Sequence, residues 1–266
     1  MRRELIHICG PISIYSYGIA ITLGVLIFMW LVQKHPLFKK LHLQDTFVDI
    51  LIVGIVTGVI GGRLFYVLSE PDVTLSLKNF ISFWEGGFSI LGTILALVLI
   101  LPIFLKKRGV PILPVLDLFS IYVPLLQSIS RVGCFLAGCC YGIPSNLSWA
   151  ITYTNSNTVA PLFIAMHPTQ LYSVIILLII FLTMFLLLQK IFKKPGQLTC
   201  IYLALASAER FIVDFWRADR TFFAKDIVPL GITHRFSISQ LIALGIFVIV
   251  CIVFIYISTR SHKHYE

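Results

Sequence analysis

The sequence predicts an all-α polytopic membrane protein with about seven transmembrane helices, and three observations carry that prediction. Hydrophobic residues make up 58% of the 266-residue chain and charged residues only 12%, far from soluble usage. The apolar residues gather into successive runs of roughly 20, the length that crosses a bilayer as a helix. The basic residues fall in short clusters between those runs, which is the pattern of loops retained on the cytoplasmic side. The formal charge of +9 therefore reads as basic loops on a membrane protein, and no nucleic-acid partner is expected.

The first predicted span covers 12–33. Arg2-Arg3 ahead of it resembles the start of a signal peptide, but Pro11 and a long apolar run without a small-residue cleavage site predict a retained helix. The second span, 47–68, contains Gly61-Gly62-Arg63. The third and fourth, 88–105 and 112–130, are interrupted by Pro102, Pro114 and Pro124. Proline is tolerated in a membrane helix when neighbours satisfy the freed carbonyls. Spans at 168–189, 198–216 and 237–258 complete the set, the first and last of these almost uninterrupted.

Orientation follows from the positive charges. Lys34, Lys39, Lys40, Lys106, Lys107, Arg108, Lys190, Lys193, Lys194, Arg260 and Lys263 fall on one side, in tight triplets up to the last pair. Arg2, Arg3, Lys78, Arg131, Arg217, Arg220, Lys225 and Arg235 fall on the other. The first set marks the cytoplasmic face, so the N-terminus is expected outside and the C-terminus in the cytoplasm. The longer connections, 69–87, 131–167 and 217–236, then lie on the outer face. The middle one, with Trp149, Tyr153, Asn155 and Asn157, reads as an outer-face loop or small extracytoplasmic cap. With no internal repeat and no low-complexity linker, residues 1–266 read as a single integral membrane domain.

Candidate functional residues stand out against this apolar background. The stretch Ser130-Arg-Val-Gly-Cys-Phe-Leu-Ala-Gly-Cys-Cys-Tyr-Gly142 holds three of the six cysteines, three glycines and Arg131. Its glycines, Gly133 and Gly138 among them, allow close backbone approach. Arg131 offers a permanent planar donor fork suited to phosphate. Positive charge on the disfavoured outer side is explained by an anionic ligand at the outer leaflet. Arg63 and Arg210 sit inside apolar spans, where an ionisable group is by default a functional hypothesis. Asp214 lies one helical turn after Arg210, and the pair reads as a structural salt bridge or as a carboxylate orienting a phosphate-binding guanidinium. For Arg63, packing with a side chain reaching to the headgroups competes with ligand contact. His167, in His167-Pro-Thr-Gln-Leu-Tyr172, is a candidate base or a helix-start hydrogen bonder. Trp84-Glu85-Gly86-Gly87 reads as a turn and interface anchor. The cysteine spacing matches neither a zinc site nor a disulfide framework, so no metal and no cofactor are expected, and vicinal Cys139-Cys140 reads first as a tight turn.

The ordered set Tyr17-Gly18, Gly62-Arg63, Glu85-Gly86-Gly87, Arg131-x-Gly-x-Phe-x-x-Gly138, His167-Pro-Thr-Gln-Leu-Tyr172 and Arg210-Phe-Ile-Val-Asp214-Phe-x-Arg217 resembles bacterial prolipoprotein diacylglyceryl transferases. The resemblance implies a multi-pass enzyme of the bacterial plasma (inner) membrane. Such an enzyme moves a diacylglyceryl group from phosphatidylglycerol to the lipobox cysteine thiol of a prolipoprotein, with glycerol phosphate as the leaving product. It also implies that Arg131 and Arg210 are phosphate-side residues, with Tyr17, Gly138 and Asp214 supporting them. The chain departs from the family pattern at three positions. Leu91 stands where the family carries histidine, Cys134 where it carries asparagine, and Cys139 where it carries glutamate. Two other readings stay open on the residues: another lipid-modifying transferase using Cys134 or Cys139 as nucleophile, and a non-catalytic lipid-binding or transport protein. Against transport, the sequence shows no repeated pair of broken helices.

Overall fold

A computed structural model describes residues 4–9, 12–69, 76, 80, 87–220 and 236–259. A two-stranded sheet, β1 (Glu4–Cys9) and β2 (Ile12–Tyr15), leads into α1 (Ser16–Lys34) and the short α2 (Pro36–Lys40). Then come α3 (Phe47–Ser69), α4 (Ile90–Lys107) and α5 (Ile112–Ala137). A small antiparallel pair, β3 (Ile151–Thr152) and β4 (Ala165–Met166), precedes α6 (Thr169–Ile191), α7 (Gln197–Val213) and α8 (Ile238–Thr259).

A helix stands in each of the seven expected places, and the all-α polytopic class holds. Five of these helices, α1, α3, α5, α6 and α8, are long and apolar enough to cross a membrane. Their outward residues are exposed among the described residues: Ile249, Ile252 and Ile255 of α8 are each 62% exposed. In water such a face would be a liability; in hydrocarbon it is the expected surface.

Two expected boundaries move, each for a local reason. The first span starts at Ser16 rather than at 12, because Ile12-Ser-Ile-Tyr15 alternates apolar and polar with the period of a strand and pairs with β1. The fourth runs on from 130 to Ala137, because nothing between Arg131 and Ala137 breaks a helix until Gly138 turns left-handed at φ +73°. Arg131, Gly133 and Cys134 therefore ride on a helix, not in the loop expected from 131 onward. The sixth helix ends at Val213 and tightens into a 3-10 turn over Asp214–Trp216.

The chain divides into two compact units. The smaller, His35–Val115, is built on α3 against α4. A Cβ on Gly61 would strike Ala96, and one on Gly62 would lie 3.2 Å from the Ser89 carbonyl oxygen, so these glycines let the backbones nearly touch. Thr93 Oγ1 donates to the Gly58 carbonyl at 3.0 Å across the same seam. The larger unit holds Ser13–Lys34 and the chain from Leu116 onward. There α1 crosses α5 at Gly133, where a Cβ would lie 2.8 Å from Ala20 and 3.2 Å from the Tyr17 backbone. Ser128 Oγ of α5 donates to the Val174 carbonyl of α6 at 3.1 Å.

The start of α7 is capped from another helix. Its N-cap residue, Gly196, has no side chain with which to accept, so Asp117 of α5 supplies the carboxylate. Asp117 takes the Gly196 N–H at 2.6 Å and the Thr199 N–H at 2.8 Å, the two donors a capping box satisfies, and Thr199 Oγ1 at 2.6 Å. A negative charge there also complements the helix dipole. Asp117→Ala strands these donors in a site where Asp117 is 1% exposed. The expected cost is roughly 2 kcal/mol, read as a lower thermal unfolding midpoint in detergent. Asp117→Asn, which still accepts, is expected to lose less.

Candidate functional site

The cysteine stretch is shaped first by the way α5 ends. The Gly138 N–H donates to the Phe135 carbonyl at 3.3 Å and the Cys139 N–H to the Cys134 carbonyl at 3.1 Å. That pair of bonds around a left-handed glycine is a Schellman motif, in which the third-last helical residue and the second residue past the cap come side by side. Here those residues are Cys134 and Cys139. Cys140 follows at φ +58°, a left-handed backbone that non-glycine residues seldom adopt. The result is three thiols gathered together, all three sulfurs lying within 4.8 Å of one another.

The segment after the turn is held from both sides. The Ile143 N–H donates to the Trp216 carbonyl at 2.9 Å and the Ala218 N–H to the Tyr141 carbonyl at 3.1 Å. On the other flank, the His167 N–H donates to the Ile143 carbonyl at 3.0 Å and the Ser145 N–H to the Ala165 carbonyl at 2.9 Å. Gly142 lies in the middle, where a Cβ would meet the Trp216 carbonyl oxygen at 2.9 Å. Beneath it, buried Tyr153, Ala160 and Met166 form the small core of the 138–168 segment. Burial pushes the Tyr153 hydroxyl up to about 12, and it stays a neutral donor to the Phe135 carbonyl. Two residues at the start of α6 pin the turn: Thr169 Oγ1 donates to the Cys140 carbonyl and Gln170 Nε2 to the Cys139 carbonyl, both at 2.7 Å.

Around the thiols stand cations. Arg210 lies within electrostatic reach of both Arg217 and Arg131, and Cys140 within reach of Arg217 and Arg131. The Cys140 thiol is held well below the ordinary thiol range, first because the Cys134 and Cys139 thiols hydrogen-bond to it and then because the two guanidiniums face it. Cys139, hydrogen-bonded to the other two thiols and half-buried, is pushed the opposite way. Arg217 is neutralised by Asp219, its Nε donating to Oδ1 at 2.8 Å and its Nη2 to Oδ2. Arg131 makes no ion pair with a described residue.

Asp214 is the anionic counterpart. It is 1% exposed and accepts from Ser237 Oγ and, at 3.0 Å, from Ser239 Oγ. Arg210 lies 3.3 Å from one of its oxygens and Arg220 3.6 Å from the other. Shared in this way, Asp214 leaves Arg210 only partly compensated, and Arg210 keeps a third of its side chain exposed. The structure shows the bridge of the first sequence reading, a buried carboxylate 3.3 Å from the Arg210 guanidinium.

The remaining expected residues divide. Tyr17 lies within electrostatic reach of Arg131, Cys134 and Cys139, so α1 contributes to the cluster. Gly133 and Gly138 serve the helix crossing and the cap described above. His167 Nδ1 is 3.0 Å from the Tyr172 hydroxyl, which accepts from Trp149 Nε1 at 2.9 Å. Arg63 belongs to the smaller unit, where it is 3% exposed and Nη1 donates to the Gly87 carbonyl at 2.9 Å. Leu91 is on the exposed side of α4. Trp84, Glu85 and Gly86, like Arg2, Arg3, Pro11, Lys78, Lys225, Arg235, Arg260 and Lys263, lie outside the described residues.

Three contributors were given no role by sequence reasoning. Arg217 was visible as one of several outer-face charges and as the last letter of the Arg210–Arg217 motif, and Thr169 and Gln170 only as polar letters in His167-Pro-Thr-Gln-Leu-Tyr172. A usable signal existed: two polar residues buried in the first turn of an apolar helix must bond something outside that helix.

A sequence model of the prolipoprotein diacylglyceryl transferase family matches residues 3–256. A phosphatidylglycerol–prolipoprotein diacylglyceryl transferase of Clostridium tetani is 34% identical over 99% of this chain and 100% of its own length. Relatives of the same name from Finegoldia magna and Bordetella avium are 33% and 32% identical, covering 91% and 96% of this chain and 93% and 94% of theirs. The chain belongs to the prolipoprotein diacylglyceryl transferase family and is a multi-pass membrane protein.

Asp214→Ala leaves two hydroxyls and two guanidiniums around an empty position. The expected loss is roughly 3 kcal/mol of stability, measured as early thermal unfolding in detergent, whereas Ser239→Ala should shift the midpoint far less.

Proposed function

We propose that this member of the family transfers the diacylglyceryl group of phosphatidylglycerol to the lipobox cysteine thiol of a prolipoprotein. In this reading it works at the outer leaflet of the bacterial plasma membrane, with its N-terminus outside. The single observation that carries the reading is that Arg131 and Arg217 both lie within electrostatic reach of Arg210. Like charges so close repel unless an anion sits among them; Asp214 and Asp219 already serve Arg210, Arg217 and Arg220, Glu209 acts on Arg210 and accepts from Ser173, and Arg131 makes no ion pair with a described residue. A phosphodiester headgroup supplies the missing charge.

The reaction demands more charge as it proceeds. The acceptor sulfur forms a bond to the glyceryl carbon next to the phosphate, and that carbon–oxygen bond breaks with its electron pair going to glycerol phosphate. The leaving group changes from a monoanionic diester to a monoester that gathers a second negative charge. Guanidiniums already in place stabilise that change more than they stabilise the bound lipid, which is the condition for lowering a barrier. Arg131 and Arg210 are the residues for this work, because Arg217 is held by its fork to Asp219. The thiol must lose its proton to attack. In the tautomer in which Nδ1 donates to Tyr172, the other ring nitrogen of His167 is left to accept that proton.

A covalent relay through Cys134 or Cys139 is disfavoured by chemistry. It would leave a thioether on the enzyme, whose carbon–sulfur bond a second thiol does not readily displace.

The test is lipidation of a lipobox peptide by purified protein in detergent with phosphatidylglycerol. The wild type should add one diacylglyceryl mass per cysteine and release glycerol phosphate. Arg131→Ala and Arg210→Lys should each lower the rate by about 10²–10³-fold while leaving the thermal midpoint near wild type. A well-folded wild type that leaves the peptide unmodified would overturn the reading.

A further inference from the structure

The geometry points to a metal site: Cys134, Cys139 and Cys140 form a three-thiolate cradle for a thiophilic dication such as zinc, whose fourth position receives the acceptor thiol. The second half of this inference rests on the transferase reading above; the first half stands without it.

Four features of the molecule support the cradle. The three sulfurs lie within 4.8 Å of one another. Zinc–sulfur bonds of about 2.3 Å in a tetrahedron place sulfurs about 3.8 Å apart, so closure needs side-chain adjustment of about an ångström. Two of the ligands are set by backbone, because the Schellman motif brings Cys134 and Cys139 together as a pair. Cys140 occupies a left-handed position where its side chain gains nothing in backbone energy, and a conformation of that kind points to a use for the side chain. Thr169 and Gln170 hold the carbonyls of the two loop cysteines from outside the turn, the kind of support that orients metal ligands. Gln170 Oε1 is itself buried with no donor among the described residues.

The burial is asymmetric in a useful way. Cys134 is buried, whereas Cys139 and Cys140 are only half-buried, so the cradle is closed behind and open in front. Three protein ligands with one open position is the arrangement of a reactive zinc centre rather than a sealed structural one. Three thiolates around a dication leave one net negative charge, and Arg131 and Arg217 stand within electrostatic reach of Cys140 to balance it.

Such a centre would supply what thiol alkylation needs. A thiol that enters the fourth position loses its proton on coordination. Its sulfur then attacks the glyceryl carbon, the carbon–oxygen bond breaks, and glycerol phosphate departs with the electron pair beside the arginines. The thioether product is a weak ligand and leaves the metal, and the proton released on binding passes to His167, the base named above, and from it to solvent. No oxidant or reductant takes part. The metal and the arginines would thus set nucleophile and leaving group within one cluster.

The test uses the full chain, purified in detergent under reducing, metal-free conditions. Zinc content is measured after loading and desalting, and cobalt is titrated in parallel to observe its thiolate-to-metal charge-transfer absorption. Expected are one metal per chain and a cobalt–thiolate band that Cys134→Ser and Cys139→Ser each lose, while Cys251→Ser keeps it. A lipobox peptide should perturb the band, and the same peptide with serine for cysteine should not. Because serine variants of a helix cap can misfold, the wild type is decisive by itself. A wild-type protein that retains no zinc and shows no cobalt–thiolate band overturns the inference, as does a band that survives in the Cys134→Ser/Cys139→Ser double variant. A metal-free, chelator-insensitive protein that still lipidates the peptide overturns the inference and leaves the transferase reading intact. A metal-loaded protein whose band ignores the peptide keeps the cradle and removes its acceptor role.

Discussion

The larger unit depends on a carboxylate that cannot be left unpaired. Asp214 is 1% exposed in a protein whose surroundings are mostly hydrocarbon, and an uncompensated charge there would cost several kcal/mol. Its partners come from three places: Arg210 one turn earlier on α7, Arg220 just beyond, and Ser237 and Ser239 at the start of α8. Satisfying it therefore fixes the end of α7, the residues that directly follow it and the beginning of α8. Those following residues include Trp216 and Ala218, whose backbone groups hold Tyr141 and Ile143, and through them the cysteine turn. The positions of Arg217 and Cys140 follow from where Asp214 must be.

A second buried carboxylate does the same at the other end of α7. Asp117 lends α5 as a cap to a helix that begins on glycine, so α7 is held at its N-terminus by one helix and at its C-terminus by another. A helix anchored at both ends cannot slide or rotate by a residue. For Arg210 that matters, because a shift of one residue would turn the guanidinium through about 100° and away from Arg131 and Arg217. Neither aspartate needs to touch substrate to be indispensable to the cluster.

The fold was legible to the extent that it is a property of single segments. A described helix stands in each place where an apolar run of bilayer length predicts one, because in lipid a segment must satisfy its own backbone hydrogen bonds and so announces itself in one dimension. The misplaced boundaries were at Ile12-Ser-Ile-Tyr15, whose partner is another strand, and at Arg131–Ala137, where the stop is a cap and not a polar residue. The site was half legible. Arg131, Arg210, Asp214 and the glycines were singled out as chemically out of place in a membrane. The three thiols did not read as a cluster, because cysteine spacing is read against known ligand patterns and theirs comes from a helix cap. Arg63 also read as a candidate, and the structure places it in the smaller unit, with Nη1 donating to the Gly87 carbonyl.

The sequence by itself determined the membrane class, the helices, the apolar faces they present and the kinds of groups available for chemistry. Each of these depends on local composition and on the free energy of one segment in lipid. Only the tertiary structure decided which of those groups meet. Arg131 on α5, Arg210 on α7 and Arg217 beyond it share one region because hydrogen bonds between segments place them there. Such bonds connect residues as far apart as Asp117 and Thr199, and no periodicity or spacing along the chain encodes a pairing of that kind.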